Sequence, residues 1–314
     1  MTARHHHYIS QCYLKGFTKG RAKKSKLTVF DFSERKSFET IPRNIGGIRD
    51  FNRIDIEGVD QNKFEADLAE FEGAAASALK KLEDTMAFEG EVRDAILLLI
   101  AMLAVRGPEQ REHIRKLEER IMNQVMGLTL QSKERWQSQV RQIQKENQDF
   151  QDNVSYEELK DFFLKNEHRI ELAREHHIRM EMVQVNAILP CLEARNWSLV
   201  KASAAAGPFI TSDNPVSLSW IDPSTVPLAY RRSPGYGLTG TQVYFPVSQE
   251  LVLMGQFDKP AGVVEATEEL VALGNTTMLN GFFRQIYSPK AKFKFCGAGG
   301  DIMEGNRIVK DFNV

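Results

Sequence analysis

Asp213 stands where a carboxylate is well placed to do chemistry. Phe209-Ile-Thr211 before it is apolar enough for a buried strand, and Asn214-Pro215 after it must turn. A carboxylate at the rigid end of a core strand suits a metal ligand or a general base. Asp and Asn ahead of proline also stabilise turns by bonding their own backbone, so both roles stand open. His6 and His7, beside Tyr8, offer a ligand or a general acid near neutral pH. They can equally be hydrogen-bonded in a core or belong to an unordered start. Arg106 closes an apolar run before Gly107-Pro108. A guanidinium there can grip a phosphate or carboxylate bidentately, or satisfy the last carbonyls of a helix. Asp213, His7 and Arg106 are the candidate catalytic set, with Asp213 and His7 as candidate ligands of a divalent metal. Ser212, Asn214, Tyr8 and Arg284 are the candidate substrate contacts.

Two further groups carry weaker signals. Glu171 and Glu175 are four apart, as are His177 and Glu181, so each pair shares a helix face. The order lacks the His-Glu-x-x-His of a zinc protease helix, and alternating charge usually marks a solvated face. Lys15, Lys19, Arg21, Lys23, Lys24 and Lys26 place six positive charges in twelve residues. Such a loop can hold nucleic-acid phosphates or an acidic protein surface, although no aromatics are interleaved for base stacking. P-loop, dinucleotide-binding and nucleophile-elbow motifs are missing. Ser233 to Gly240 is glycine-rich but precedes a strand, as a flexible loop or lid would.

The elements that must position these residues fall into three blocks. Residues 1–58 read as strands and a basic loop, with Leu27–Phe32 and Ser37–Ile41 as a hairpin. Residues 59–195 read as helices. Phe64, Leu68, Phe71, Ala75, Leu79, Leu82 and Met86 recur every three or four residues behind Asp60, and 91–106 is apolar all round. The stretch 109–147 becomes polar and projects as a long helix or hairpin. Ser155 and Glu158 form a capping-box pattern that opens a helix running to Pro190. Residues 196–314 return to short strands near 197–200, 208–211, 216–220, 242–245 and 250–256. A helix over 266–280 and closing strands near 285–287 and 292–295 complete them. The fold class is α+β, with strands from both chain ends in one mixed or antiparallel sheet around a central helical insertion.

The 314 residues carry 41 Lys/Arg and 42 Asp/Glu, a net charge of −1 that gives no global attraction to nucleic acid. The charge is unevenly spread: residues 1–53 hold a surplus of +8 and residues 54–91 a deficit of −8. Equal sizes favour mutual neutralisation. Cys12, Cys191 and Cys296 are too far apart for a paired framework and suit a reducing compartment. The longest apolar run, 95–105, is eleven residues against the ~20 a bilayer needs. A soluble, cytoplasmic protein without a membrane partner is expected.

Four segments together are familiar: His6-His7-Tyr8-Ile-Ser10 with Tyr13-Leu-Lys-Gly-Phe17, Leu103-Ala-Val-Arg106-Gly-Pro108, Phe209-Ile-Thr-Ser-Asp213-Asn-Pro-Val216, and Tyr244-Phe-Pro-Val-Ser248 before Leu251–Met254. In this order they resemble the family catalogued as domain of unknown function 4238, which opens with His-Tyr-[Val/Ile]-Pro-x-x-Tyr-Leu-x-x-Phe and carries a Ser-Asp-Asn-Pro turn. Ser10 stands where proline is usual, and 109–181 matches no pattern. The resemblance implies boundaries and residues of interest but no reaction. The residues suggest a hydrolase acting on a phosphodiester or nucleotide-like substrate. The competing expectation is a non-catalytic interaction protein, such as a component of a bacterial defence or toxin assembly, with a homodimer through the helical region.

Overall fold

The computed structural model describes residues 5–311 apart from 23, 57, 59, 62, 152, 166–170, 233, 306 and 307. In chain order the elements begin with β1 His5–His7, α1 Gln11–Leu14, β2 Leu27–Asp31, β3 Lys36–Thr40 and β4 Gly47–Arg49. The helices α2 Lys63–Thr85, α3 Gly90–Val105, α4 Pro108–Thr129, α5 Lys133–Glu146, α6 Tyr156–Leu164 and α7 Arg174–Glu193 follow. Then come β5 Asn196–Ala202, β6 Thr211–Ser212, β7 Ser217–Trp220, β8 Thr241–Ser248, β9 Leu251–Gln256, β10 Gly262–Ala266 and α8 Glu268–Gly281. Strands β11 Gln285–Ser288, β12 Lys294–Cys296 and β13 Ile302–Glu304 close the sequence of strands. The chain divides into two compact units, Met1–Pro108 with Arg174–Val314, and Glu109–Ala173.

The larger unit is α+β and contains two main sheets, where the sequence suggested one. Strands β3-β2-β11-β6 join both ends of the chain in an antiparallel sheet. A second sheet, β10-β5-β9-β8-β7, comes wholly from the last 120 residues, antiparallel except for the β10/β5 pair. The reason lies in the side-chain alternation. In β5, β8 and β9 both parities are apolar, so that sheet needs cover on both faces. Trp197, Leu199, Val243, Phe245 and Leu253 pack with the buried faces of α2, α3 and α7. Val200, Tyr244 and Val252 face Val271 and Met278 of α8 and Phe30 and Ile286 of the other sheet.

Helix α3 is buried on all sides through Ile96, Leu97, Leu99, Ile100, Ala101 and Leu103, in contact with α2 and α7, as its unbroken apolar sequence requires. The first segment is anchored on this core. Tyr13 stacks on Phe245 with ring centroids 5.2 Å apart, and its hydroxyl meets that of Thr211 at 2.6 Å. Strand β1 pairs antiparallel with β4, His6 opposite Ile48.

The smaller unit is helical. Ser132 caps α5 by accepting from the Arg135 N–H, and Ser155 and Glu158 close the expected capping box on α6. The Tyr156 hydroxyl donates to the Leu130 carbonyl at 2.8 Å. The single helix expected from 155 to 190 is instead α6 and α7. Pro190 lies inside α7, which runs one turn further, with Ala194 N–H bonded to the Pro190 carbonyl. Of the 208–211 strand only Thr211 onward pairs, because the Phe209 N–H bonds the Gln249 carbonyl instead.

Candidate functional site

The β1–α1 segment passes the N-terminal half of α2 and the C-terminal end of α3, and polar groups converge there. His6 is 1 % exposed, and its Nδ1 accepts from the Asn52 backbone N–H at 2.9 Å, so its proton sits on Nε2 when neutral. The Asn52 side-chain amide donates to Glu65 at 3.0 Å. The Ser10 hydroxyl donates to Glu72 at 2.7 Å. Glu65 and Glu72 are seven apart on α2 and share a helix face. The Arg106 guanidinium is 4 % exposed, donates to the His7 carbonyl at 3.0 Å and lies within Coulombic range of Glu72.

His7 is half-buried. Its Nε2 lies 3.2 Å from the Arg43 carbonyl, and its Nδ1 lies 3.4 Å from the Gln11 side-chain amide. A carbonyl only accepts, so Nε2 carries the proton and Nδ1 presents the lone pair. Burial lowers the His7 pKa below 6.5, opposed by the Arg43 carbonyl bond, with Glu65 also raising it and His5 and Arg43 lowering it. Burial raises the Glu72 carboxyl above the usual range, assisted by Glu65 and opposed by Ser10 and Arg106.

Asp213 is used differently. Its Oδ1 accepts from Phe283 N–H at 2.9 Å, and its Oδ2 from Arg284 N–H at 2.7 Å and Gln285 N–H at 2.9 Å. None of these bonds goes to His7 or Arg106. Burial raises its pKa to about 6 despite these three donors. Ser212 bonds the Asn214 backbone, and the Asn214 amide donates to the Gly281 carbonyl at 2.8 Å. Ser212, Asp213 and Asn214 thus clasp β6 to the end of α8 and the start of β11. Arg284 is committed too: its Nε and one terminal nitrogen donate to Asp31 at 3.0 and 2.8 Å, and it also reaches Glu34. Burial alone would raise Asp31, but Arg284, the Gln285 amide, Glu34 N–H and Ser33 outweigh it and hold Asp31 well below the usual carboxylate range. Tyr8 packs on Phe51 and lies within Coulombic range of Arg284 and Tyr287.

The sequence profile of the family described as "Protein of unknown function (DUF4238)" matches residues 5–292. The chain belongs to this family. No curated protein and no solved structure matches it. In this DUF4238 chain the family's opening motif supplies His7 and Ser10. Ser10, which stands in the usual proline position, is the residue that holds Glu72. The structure joins two of the three candidate catalytic residues, His7 and Arg106, and places Asp213 in a separate clasp. Asn52, Glu65, Glu72 and Arg43 are the members the sequence reading missed. The available signal was in α2, where Glu65 and Glu72 repeat at seven residues directly beside the buried positions Leu68 and Ala75.

The basic loop of the DUF4238 chain folds back on its own acids. Lys19 pairs with Glu39, and Arg21 with Glu83 and, at 4.0 Å, with Glu250. Lys15 is half-buried, Lys24 and Lys26 are exposed, and Lys23 lies outside the described residues. Along α7, Glu181 is fully buried where a solvated face was expected, and His176 Nδ1 lies 3.0 Å from an Arg179 nitrogen. Among the described residues, no three His, Cys, Asp or Glu side chains converge as a metal-binding group. The three cysteines form no disulfide. No described helix is long and apolar enough to cross a membrane.

Proposed function

We propose that this chain is a hydrolase acting on a phosphodiester or nucleotide-like substrate by general acid–base catalysis at the His7–Glu72 cluster. One observation carries the reading. His7 and Glu72 share Glu65 and Arg106 as neighbours, while burial lowers the imidazole pKa and raises the carboxyl pKa. An acid and a base pushed toward each other in pKa, both partly accessible, are suited to exchanging protons with one substrate. His7 Nδ1 takes a proton from water as its oxygen bonds to phosphorus. The bond from phosphorus to the leaving oxygen breaks, and the Glu72 carboxylic acid supplies that oxygen's proton. Arg43, whose exposed side chain lies within Coulombic range of His7, contacts the phosphate. Arg106 is a positioning residue, since its guanidinium is buried behind the His7 carbonyl. Asp213 oxygens are engaged by the Phe283, Arg284 and Gln285 N–H groups, which places Asp213 outside the reacting pair His7 and Glu72.

The test is turnover of bis-p-nitrophenyl phosphate and a nucleotide panel by wild type, His7→Ala and Glu72→Gln. Each variant should lower kcat/KM by roughly 10²- to 10⁴-fold. Equal rates in His7→Ala and wild type would refute the assignment.

One feature favours a second reading, a non-catalytic protein that self-associates. Along α4, Leu117, Ile121, Val125 and Leu128 are 47–56 % exposed at helical spacing. Light scattering should then show a dimer that Ile121→Glu converts to monomer.

A further inference from the structure

Three cavities in the larger unit run into one another. The first, about 400 Å³, lies between the C-terminal half of α2 and the opening segment, and its lining includes Cys12, Lys15, Leu79, Lys80 and Val247. The second, about 170 Å³, shares Arg21, Glu83 and Asp84 with it and adds Met86, Lys201 and Leu251. The third, about 470 Å³, shares Lys201 and Glu250 with the second and adds Pro208, Gln249 and Lys290. Shared walls make them one groove. Its inner end adjoins the acid–base corner. Ala76 in its wall is four residues beyond Glu72 on the same face of α2, and Cys12 lies within Coulombic range of Glu72.

Cations are distributed along the whole groove. Lys15 and Lys80 stand in the first cavity, Lys201 in the second and third, and Lys290 in the third. None of the four makes an ion pair among the described residues. Three acids also line the groove. Glu83 is neutralised by Arg21, and Glu250 lies 4.0 Å from the same guanidinium, which leaves Asp84 as the lining acid without an ion pair among the described residues. Unpaired cations spread through connected cavities suit a chain of negative charges better than one small anion. The middle passage is smaller than ordinary small-molecule sites, so it admits one extended strand and excludes a duplex. A peptide would find no ladder to join, because β5, β9 and β8 are interior strands of their sheet. Tyr13, the one aromatic among the described lining residues, is fully buried, so phosphates and not bases supply the recognition.

We infer that this groove holds a single-stranded nucleic acid by its phosphates and leads it to the His7–Glu72 corner. The strand's role as substrate rests on the hydrolase reading, whereas its binding in the groove uses neither His7 nor Glu72.

Fluorescence anisotropy of a labelled oligothymidylate with the full chain tests this, the strand being checked for cleavage after each titration. Binding should weaken roughly 50-fold between 50 and 200 mM salt, the dependence for about four released counterions. Lys15→Gln/Lys80→Gln and Lys201→Gln/Lys290→Gln alter different cavities of the groove. Each should weaken binding at least ~10-fold and roughly halve the salt slope. Lys259→Gln should change neither, since it lies by the opposite end of β5, where the Asn196 amide donates to the Phe257 carbonyl. No binding at 50 mM salt, equal binding of a duplex, or insensitivity to both double variants would each overturn the inference. Equal competition by oligoglutamate would overturn it too, in favour of an acidic protein partner. Strand binding without cleavage would uphold the groove and count against the hydrolase reading. Turnover of bis-p-nitrophenyl phosphate without strand binding would do the reverse.

Discussion

An asparagine in place of Asp213 would leave one oxygen to serve three backbone N–H donors and turn an amide nitrogen toward the rest. Asp213→Asn should therefore destabilise the fold by roughly 1–3 kcal/mol in urea unfolding. The pH dependence has a definite sign. With a folded pKa of about 6 against 3.8 for the free carboxyl, the folded state keeps its proton where the unfolded state has lost it. Asp213 thus supports the fold fully below about pH 4 and progressively less as pH rises through 6, by on the order of 2–3 kcal/mol. The amide of the Asp213→Asn variant cannot titrate, so the stability gap between wild type and variant should narrow over that window. A gap that widens would show that the three N–H bonds outweigh burial. His7 has the opposite sign: with its folded pKa lowered, it destabilises the fold as pH falls below 6.5. His7 and Arg106 were legible in the sequence because a motif and a helix end marked them. Glu65 and Glu72 were not, because a glutamate beside an apolar helix face reads as solvated until something packs over it. Asp213 was legible as a residue but not as a role, since a strand-end carboxylate and a backbone clasp look alike in one dimension.

Helix α8 shows how an element's composition can be set by its neighbour. A Cβ at Gly274 would stand 2.2 Å from the Tyr244 hydroxyl, which is buried without a hydrogen-bond partner among the described residues. Alanine gains up to ~1 kcal/mol in helix propensity, but overpacking costs about 1–3 kcal/mol, so Gly274→Ala should lower the melting temperature. A rise would mean that Tyr244 has room to move. Element types were largely readable from periodicity: α2, α3, the β2–β3 hairpin and the C-terminal strands fall close to their expected places. Two failures share a cause, tertiary pairing. Strand β10, with its exposed Val263 and Val264, exists because β5 offers it a parallel edge, and β4 exists because β1 pairs with it. Neither is visible in its own few residues.

Across the whole molecule, one cation of the basic first 53 residues, Arg21, meets the acidic α2. Arg21 holds Glu83, and the Lys19–Glu39 pair keeps part of the basic loop internally balanced. A double-mutant cycle on Arg21 and Glu83 should give a coupling of about 0.2–1 kcal/mol that shrinks as salt rises to 1 M. A coupling independent of salt would make the pair a packing contact. The two-sheet arrangement was beyond the sequence, because it depends on which strand edges pair at long range, β11 with β2 and β6 in one sheet and β5 with β9 in the other.

The Tyr13 hydroxyl bond to Thr211 spans 198 residues, and the ring's stacking partner, Phe245, lies later still. During translation the opening motif therefore meets α2 long before the strands that complete the cover of Tyr13 exist. The His7–Glu72 corner is built from residues of the first third of the chain, yet the Tyr13 anchor beside it closes only after the last third has been made. A ribosome that stalls before β8 would leave one side of that apolar segment exposed.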